Sequence, residues 1–382
     1  MTNLRCVPDF LIFSDLRQWV AGFAILDSLD TVLPETKEGN ADFDLYQRQQ
    51  SCIVDQDNCR LEEHEGKAGW ALDKYKNIHI ATKTYHLRPN HDWYVFIDAD
   101  SYILWRNLAQ WLRRLDPSEE LYLGSVALIN NFRFAHGGSG YILSQAAISR
   151  FVGEHPNVAN QFDGRVKQSC CGDYMLAIAA NETIGLQVKQ AWPTINGEKP
   201  HTIPFRSQEW CQPIVTMHHM NPEELSSFWN FETRFYDHQT PRPPPNRAIL
   251  FQDIYREFLT AKLQPTREDW DNLSEDVYYI DTDAKNDGWP VYRVKKDHLT
   301  AAEKNAHKSF EDCQKMCDRV SDCFQFRYHE NICAYHRGFL LGNPRKREAD
   351  EGKRWRSGWN LDRINSWVQK QGECGEPLWP HT

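Results

Sequence analysis

No stretch of this chain approaches the roughly 20 consecutive apolar residues that a membrane span needs. The N-terminus also lacks the basic-then-apolar pattern of a secretory signal. Positive charge is in deficit: 44 Lys and Arg stand against 53 Asp and Glu, a formal net charge of -9, which argues against a nucleic-acid partner. The one basic cluster, Arg345, Lys346, Arg347, Lys353, Arg354 and Arg356, is interrupted by Glu348, Asp350 and Glu351 and reads as a solvated loop. There is no internal repeat and no low-complexity tail. The phosphate-loop pattern with its lysine is missing, which excludes a nucleoside triphosphatase of that type. Close Cys-x2-Cys pairs are missing too, and this weakens the case for a four-cysteine zinc site.

What is present begins with a core. Hydrophobic residues make up 41% and aromatic residues 13% of 382 positions, a length that suggests one large domain and a smaller one. Eleven cysteines are many for a cytosolic protein, and four of them crowd between Cys313 and Cys333. That crowding points to an oxidising compartment. The sequons Asn181-Glu182-Thr183 and Asn272-Leu273-Ser274 are compatible with it. The expectation is a lumenal or secreted protein whose targeting segment lies outside this chain. The odd cysteine count leaves one thiol free, or bridged to another chain. Cys313 and Cys317 share a helix face, Cys323 opens an alternating strand, and Cys333 follows. Between zinc and disulfides, disulfides are favoured, nested as Cys313 to Cys333 and Cys317 to Cys323. Cys52 and Cys59 are spaced to close a small loop in the same way.

In chain order, Phe10 to Asp15 reads as a first strand. Asp15 at its end either touches a nucleotide base or ribose or serves only the turn. Leu72, Tyr75, Ile78, Thr82 and Tyr85 recur at helical spacing, so Gly69 to Arg88 reads as one amphipathic helix ended by Pro89. Lys74 lies beside that seam, an exposed helical lysine or a phosphate contact. Trp93-Tyr94-Val95-Phe96-Ile97 is rich in β-formers and reads as a buried strand. Strand, helix and strand make a βαβ unit with a right-handed crossover.

That second strand runs into Asp98-Ala99-Asp100. In open α/β sheets ligands collect at the carboxyl ends of strands, and two carboxylates there can hold a divalent cation. The plainer alternative is a strand end that caps the next helix. Further on, three glycines fall within Gly137-Gly138-Ser139-Gly140, letting the backbone approach a ligand or take positive φ. Ser144 is the N-cap of a helix running to Phe151-Val152. Asp173 sits at the start of another short helix, either as a cap or as a carboxylate base presented into a cleft. Ile214 to His219 is a strand ending in paired histidines. Neighbours on a strand face opposite ways, so one of His218 and His219 reaches a given site. Pro241 to Pro245 marks a stiff connection, a helical segment spans Ile249 to Leu263, and composition shifts from about Asp283.

The order of these motifs resembles the fringe-like β-1,3-glycosyltransferases, within them the core 1 β-1,3-galactosyltransferase branch. The chain looks most similar to filamentous-fungal members with a C-terminal PAN/apple-like module. The resemblance rests on Asp98-Ala99-Asp100-Ser101-Tyr102, Gly137-Gly138-Ser139-Gly140-Tyr141, Gly172-Asp173 and Val215-Thr216-Met217-His218. It implies an α/β, GT-A (Rossmann-like) domain over 1–240, a Pro-rich and helical connection over 241–284, and a disulfide-rich α+β module over 285–382. It further implies a UDP-sugar donor, Mn2+, inversion at the anomeric carbon, a glycan or glycoprotein acceptor and a Golgi location. Carried onto this chain, Asp98 and Asp100 match the metal-binding acidic motif. His218 matches its histidine ligand, with His219 the alternative, and Asp173 matches the general base. Gly137, Gly138, Lys74 and Asp15 fall to the nucleotide. Two departures stand out: Ala99 separates two acids where many relatives have three in succession, and Cys171-Gly172-Asp173 replaces a pair of acids.

The resulting expectation is a metal-dependent, inverting hexosyltransferase. Its rival is an inactive transferase-like protein that binds carbohydrate or protein through the C-terminal module.

Overall fold

The computed structural model describes residues 9–52, 65–237, 247–281 and 291–380. The chain divides into two compact units. Met1–Gly197, Val215–Glu232 and Pro380–Thr382 form the first, and Glu198–Ile214 with Thr233–Trp379 form the second. Helices and sheets are mixed in both, an α/β architecture compatible with a GT-A-like domain. Among the described residues no helix is long and apolar enough to cross a membrane.

The first unit is built on a four-stranded sheet in the spatial order Lys189–Gln190, Tyr122–Gly124, Tyr141–Ser144, Trp93–Phe96. The two middle strands are buried throughout, as their unbroken apolar and small residues require. Trp93–Phe96 lies at the end of this sheet with only Tyr94 buried, and pairs antiparallel with Tyr141–Ser144. The expected βαβ unit is therefore absent. Ile12–Ser14 instead pairs in parallel with Phe23–Asp27 in a separate three-stranded sheet. A run of β-formers specifies a strand but says nothing of which strand will lie beside it.

The single helix expected from Gly69 to Arg88 is two helices, Glu65–Asp73 and Lys76–Leu87. At the break, Tyr75 is buried and its hydroxyl donates to Asp42, while the Lys74 ammonium pairs with the same carboxylate at 2.8 Å. Gly172 packs against the carbonyl oxygens of Asp73 and Lys74, where a Cβ would come within 2.9 and 2.8 Å. Periodicity alone does not register such a tertiary intrusion. Ser144 caps its helix as expected, accepting from the Ala147 N–H. That helix continues through a π-turn at Ser149–Gly153.

The second unit carries a five-stranded antiparallel sheet ordered Thr266–Glu268, Arg356–Trp359, Gln325–His329, Ile332–His336, Val277–Tyr279. Residues 266–279, read from the sequence as a connection, thus supply two of its strands. The Phe310–Arg319 helix packs on this sheet through Phe310, Cys313, Met316 and Cys317. Disulfides join Cys313 to Cys333 and Cys317 to Cys323, as the spacing predicts, so those four sulfurs are not a zinc site. Cys211–Cys374 is a third disulfide in this unit. Each such bridge contributes about 2–4 kcal/mol, chiefly by restricting the unfolded chain.

The sequon at Asn272 is overturned as a glycan acceptor. Asn272 is fully buried and its amide donates to the carbonyls of Phe326 and Gly358. Beside it the buried Asp271 carboxylate pairs with Arg327 and Arg345, both at 2.6 Å. Cys52 is disulfide-bonded; Cys59, the Pro241 to Pro245 run and Asp283 lie outside the described residues.

Candidate active site

The carboxyl end of Trp93–Phe96 turns sharply, with the Ser101 N–H donating to the Asp98 carbonyl at 3.1 Å. The chain then enters Tyr102–Ile103, which pairs antiparallel with Thr216–Met217. This pairing brings the acidic loop and the histidine strand together. The Met220 N–H donates to the Asp100 carbonyl at 2.9 Å, locking the two loops in register.

The Asp100 carboxylate faces both histidines. His218 Nε2 lies 3.2 Å from Oδ1 and His219 Nδ1 lies 3.9 Å from Oδ2. Strand alternation predicts that only one would reach the site, and this is corrected by the backbone. The strand ends at Met217, and His219 takes φ 59, which swings its ring beside that of His218 at a centroid distance of 3.8 Å. One ligand atom from each of Asp100, His218 and His219 lies within 4.8 Å of the others. A carboxylate oxygen with two imidazole nitrogens suits a first-row divalent ion. Burial lowers the pKa of His218, and His219 and His136 lower it further against the opposing pull of Asp100, which favours the neutral ring that binds metal. Its Nδ1 is buried without a hydrogen-bond partner.

Asp98 falls outside this group of three. It keeps solvent access, yet the protein around its recess desolvates it, and the charges of Asp73, Asp100 and Asp173 add to the effect. Together they push its carboxyl up to about 6. Asp98 with the three carboxylates that act on it forms a negative focus suited to a cation.

The glycine loop closes the site from the other side. Ser101 Oγ donates to the Gly138 carbonyl at 2.8 Å, and Thr216 Oγ1 donates to the Ser139 carbonyl at 2.7 Å. The loop is thus bonded to both the acidic segment and the histidine strand. Gly138 is there for His218: a Cβ would lie 2.2 Å from the ring Cε1. Gly140 adopts φ +85 and its own Cβ would stand 3.1 Å from the Phe96 carbonyl oxygen. Gly138→Ala is therefore expected to displace His218 and, if the group holds a divalent ion, to weaken that binding by about 10-fold or more, the scale of lost ligand support. Gly164→Ala, which meets nothing within 4 Å, is the matched control. Metal titration of both proteins checks this, and equal affinity would remove Gly138 from the site.

Asp173 stands in the first turn of the Gly172–Ile184 helix, two residues past the N-cap position expected of a simple cap. The N-cap is Cys171, disulfide-bonded to Cys170. Asp173 Oδ2 accepts the Gly137 N–H at 2.8 Å and Oδ1 accepts the Tyr174 N–H at 2.7 Å. Each oxygen keeps a lone pair for an acceptor hydroxyl. Gly137 thus links the candidate base to the loop that seats His218.

Two further candidates are held by ion pairs. Lys74 is tied to Asp42 and to the Lys167 carbonyl. Asp15 pairs with Lys76 at 2.6 Å, and Lys76 also pairs with Asp73. Lys76 is the lysine whose charge acts on Asp98, and the sequence presents it only as one more charged residue beside Tyr75. His136 was missed as well; its ring lies 5.7 Å from that of His218 and its Nδ1 meets Ser139 Oγ at 2.8 Å. Its position immediately before the glycine loop was the available signal.

Residues 48–190, which include the acidic pair, the glycine loop and Asp173, match the family model described as Fringe-like. The disulfides Cys211–Cys374, Cys313–Cys333 and Cys317–Cys323 suit an oxidising compartment. Over that segment the chain is similar to the Fringe-like family.

Proposed function

We propose that this protein is a metal-dependent, inverting β-1,3-glycosyltransferase that moves a hexose, galactose in our reading, from a UDP-sugar to a glycan hydroxyl in the Golgi lumen. The observation that carries the proposal is the convergence of Asp100, His218 and His219 beside a glycine loop whose other side holds Asp173. Asp100, His218 and His219 would hold Mn2+, with Asp98 adding negative charge from outside the group; held there, it would supply positive charge against the charge that develops on a leaving diphosphate. Asp173 takes the proton of the acceptor hydroxyl as that oxygen attacks the anomeric carbon. The hydrogen bonds from Gly137 and Tyr174 orient its carboxylate for this. We read the disulfide-bonded helix and five-stranded sheet of the second unit as the PAN/apple-like module.

A screen of UDP-sugars against β-linked and α-linked glycan acceptors, run with Mn2+ and with excess chelator, tests the proposal. Transfer with inversion, confined to the Mn2+ arm and strongest with UDP-galactose, is the expected result. UDP binding without turnover of any UDP-sugar would favour the inactive binding protein instead.

A further inference from the structure

A cavity of about 910 Å³ opens within the second unit, and its lining residues run from Asp276 to Arg337. One wall is a segment laid on the edge of the five-stranded sheet: Val294 bridges to Tyr278, and the Lys295 N–H donates to the Tyr278 carbonyl at 3.1 Å. The opposite wall is the end of the Phe310–Arg319 helix.

The cavity is polar, lined by four cationic side chains, Arg293, Lys295, Arg319 and Arg337, and by three carboxylates. Arg293 pairs with Glu275 at 3.3 Å. Each carboxylate is already engaged. Glu303 accepts from Lys295 at 2.6 Å and from Tyr279 at 2.8 Å, Asp322 accepts from Arg337 at 2.9 Å, and Asp276 accepts the Arg337 N–H at 2.8 Å. Arg319 is exposed and, among the described residues, has no hydrogen-bonding or charged partner; the same holds for His298. At the rim, Tyr292 leaves 83% of its surface exposed, an aromatic face backed by the Arg293 guanidinium.

An unmatched guanidinium calls for an anion, because it can form a paired, charge-assisted contact with a carboxylate. Planar hydrogen-bonding groups around it suit hydroxyls, and an exposed ring suits the flat face of another ring. A peptide docked as an added strand fits less well, because the Val277–Tyr279 edge is covered by the bridge to Val294.

We propose that this cavity binds a carboxylated sugar, with Arg319 pairing the carboxylate and Tyr292 lying against the ring. The site is separate from the transferase reading and stands whether or not that reading does. The test is calorimetric titration of the full chain with a glucuronate-containing tetrasaccharide, with a neutral glucose tetrasaccharide and hexaglutamate as comparisons. Saturable binding of the glucuronate probe, weakened at least about tenfold in Arg319→Ala and in Tyr292→Ala, is expected, because a charge-assisted pair and a stacked face are lost. Arg319→Lys should restore part of it, and UDP affinity should be unchanged in all three variants. Absence of saturable binding overturns the proposal. So does equal affinity for the neutral saccharide, preference for hexaglutamate, or wild-type affinity in both alanine variants.

Discussion

Asp100→Ala is expected to abolish Mn2+-dependent UDP binding and to lower transfer by at least about 100-fold. The carboxylate is the one anionic member of the group of three, so its loss leaves two neutral imidazoles to hold a dication. Losing even an outer-shell partner typically costs 10–100-fold in metal affinity or activity, so about 100-fold is a lower bound for a direct ligand. The geometry also ranks the neighbours. His218→Ala should approach the same loss, because its ring is seated by Gly138 and faces Asp100 at 3.2 Å. Asp98→Ala should cost less, since Asp98 stands outside the group. UDP titration with Mn2+ and with chelator, on folded variants, measures all three. Wild-type activity of Asp100→Ala in excess chelator would remove the metal from the mechanism, and a larger loss at Asp98 than at Asp100 would move the ligand set two residues back.

Asp173→Asn is expected to lower transfer by roughly a hundredfold or more, the usual scale for general-base catalysis. Mn2+ and UDP binding should stay near wild type. The variant keeps its size and an oxygen able to accept the Gly137 or the Tyr174 N–H, but it cannot take a proton at neutral pH. The structural cost is at most one backbone hydrogen bond, about 0.5–1.5 kcal/mol, too little to unfold the first unit. Cys171 holds the N-cap position, while the Asp173 side chain accepts the Tyr174 N–H of the helix's first turn, so a brace at the helix start is the alternative that the experiment must separate. Calorimetric UDP titration beside a transfer assay on the same preparation separates the outcomes. Unchanged turnover would leave Asp173 as a brace for the glycine loop, and joint loss of UDP binding would place it with the metal ligands.

Local sequence carried much of this. The β-forming run before Asp98 is a strand, Ser144 is an N-cap, and the cysteines at 313, 317, 323 and 333 pair as their spacing on a helix and a strand predicts. Each of these depends on residues within a few positions or on one face of one element, where propensity and period operate. The candidate ligands were legible for the same reason: Asp98, Asp100, His218 and His219 all sit at strand ends.

Partnership was decided by the tertiary structure. Which strand lies beside Trp93–Phe96 depends on which sheet edge remained to be satisfied, and no nearby residue encodes that. The break at Lys74 and Tyr75 follows from Asp42 and Gly172, which are remote in sequence. The burial of Asn272, read locally as a surface sequon, follows from the strands that close over it. In the site, sequence alone determined the chemical types, carboxylates, imidazoles and glycines at strand and helix ends. Only the folded chain decided that His219 turns to join His218, that Asp98 stands outside the group, and that Lys76 rather than Lys74 faces the acids. The physical reason is that a side chain's direction is set by its own backbone torsions and by what packs against it. His219 lies in the left-handed region after a two-residue strand, and Gly138 vacates the space its neighbour's ring fills.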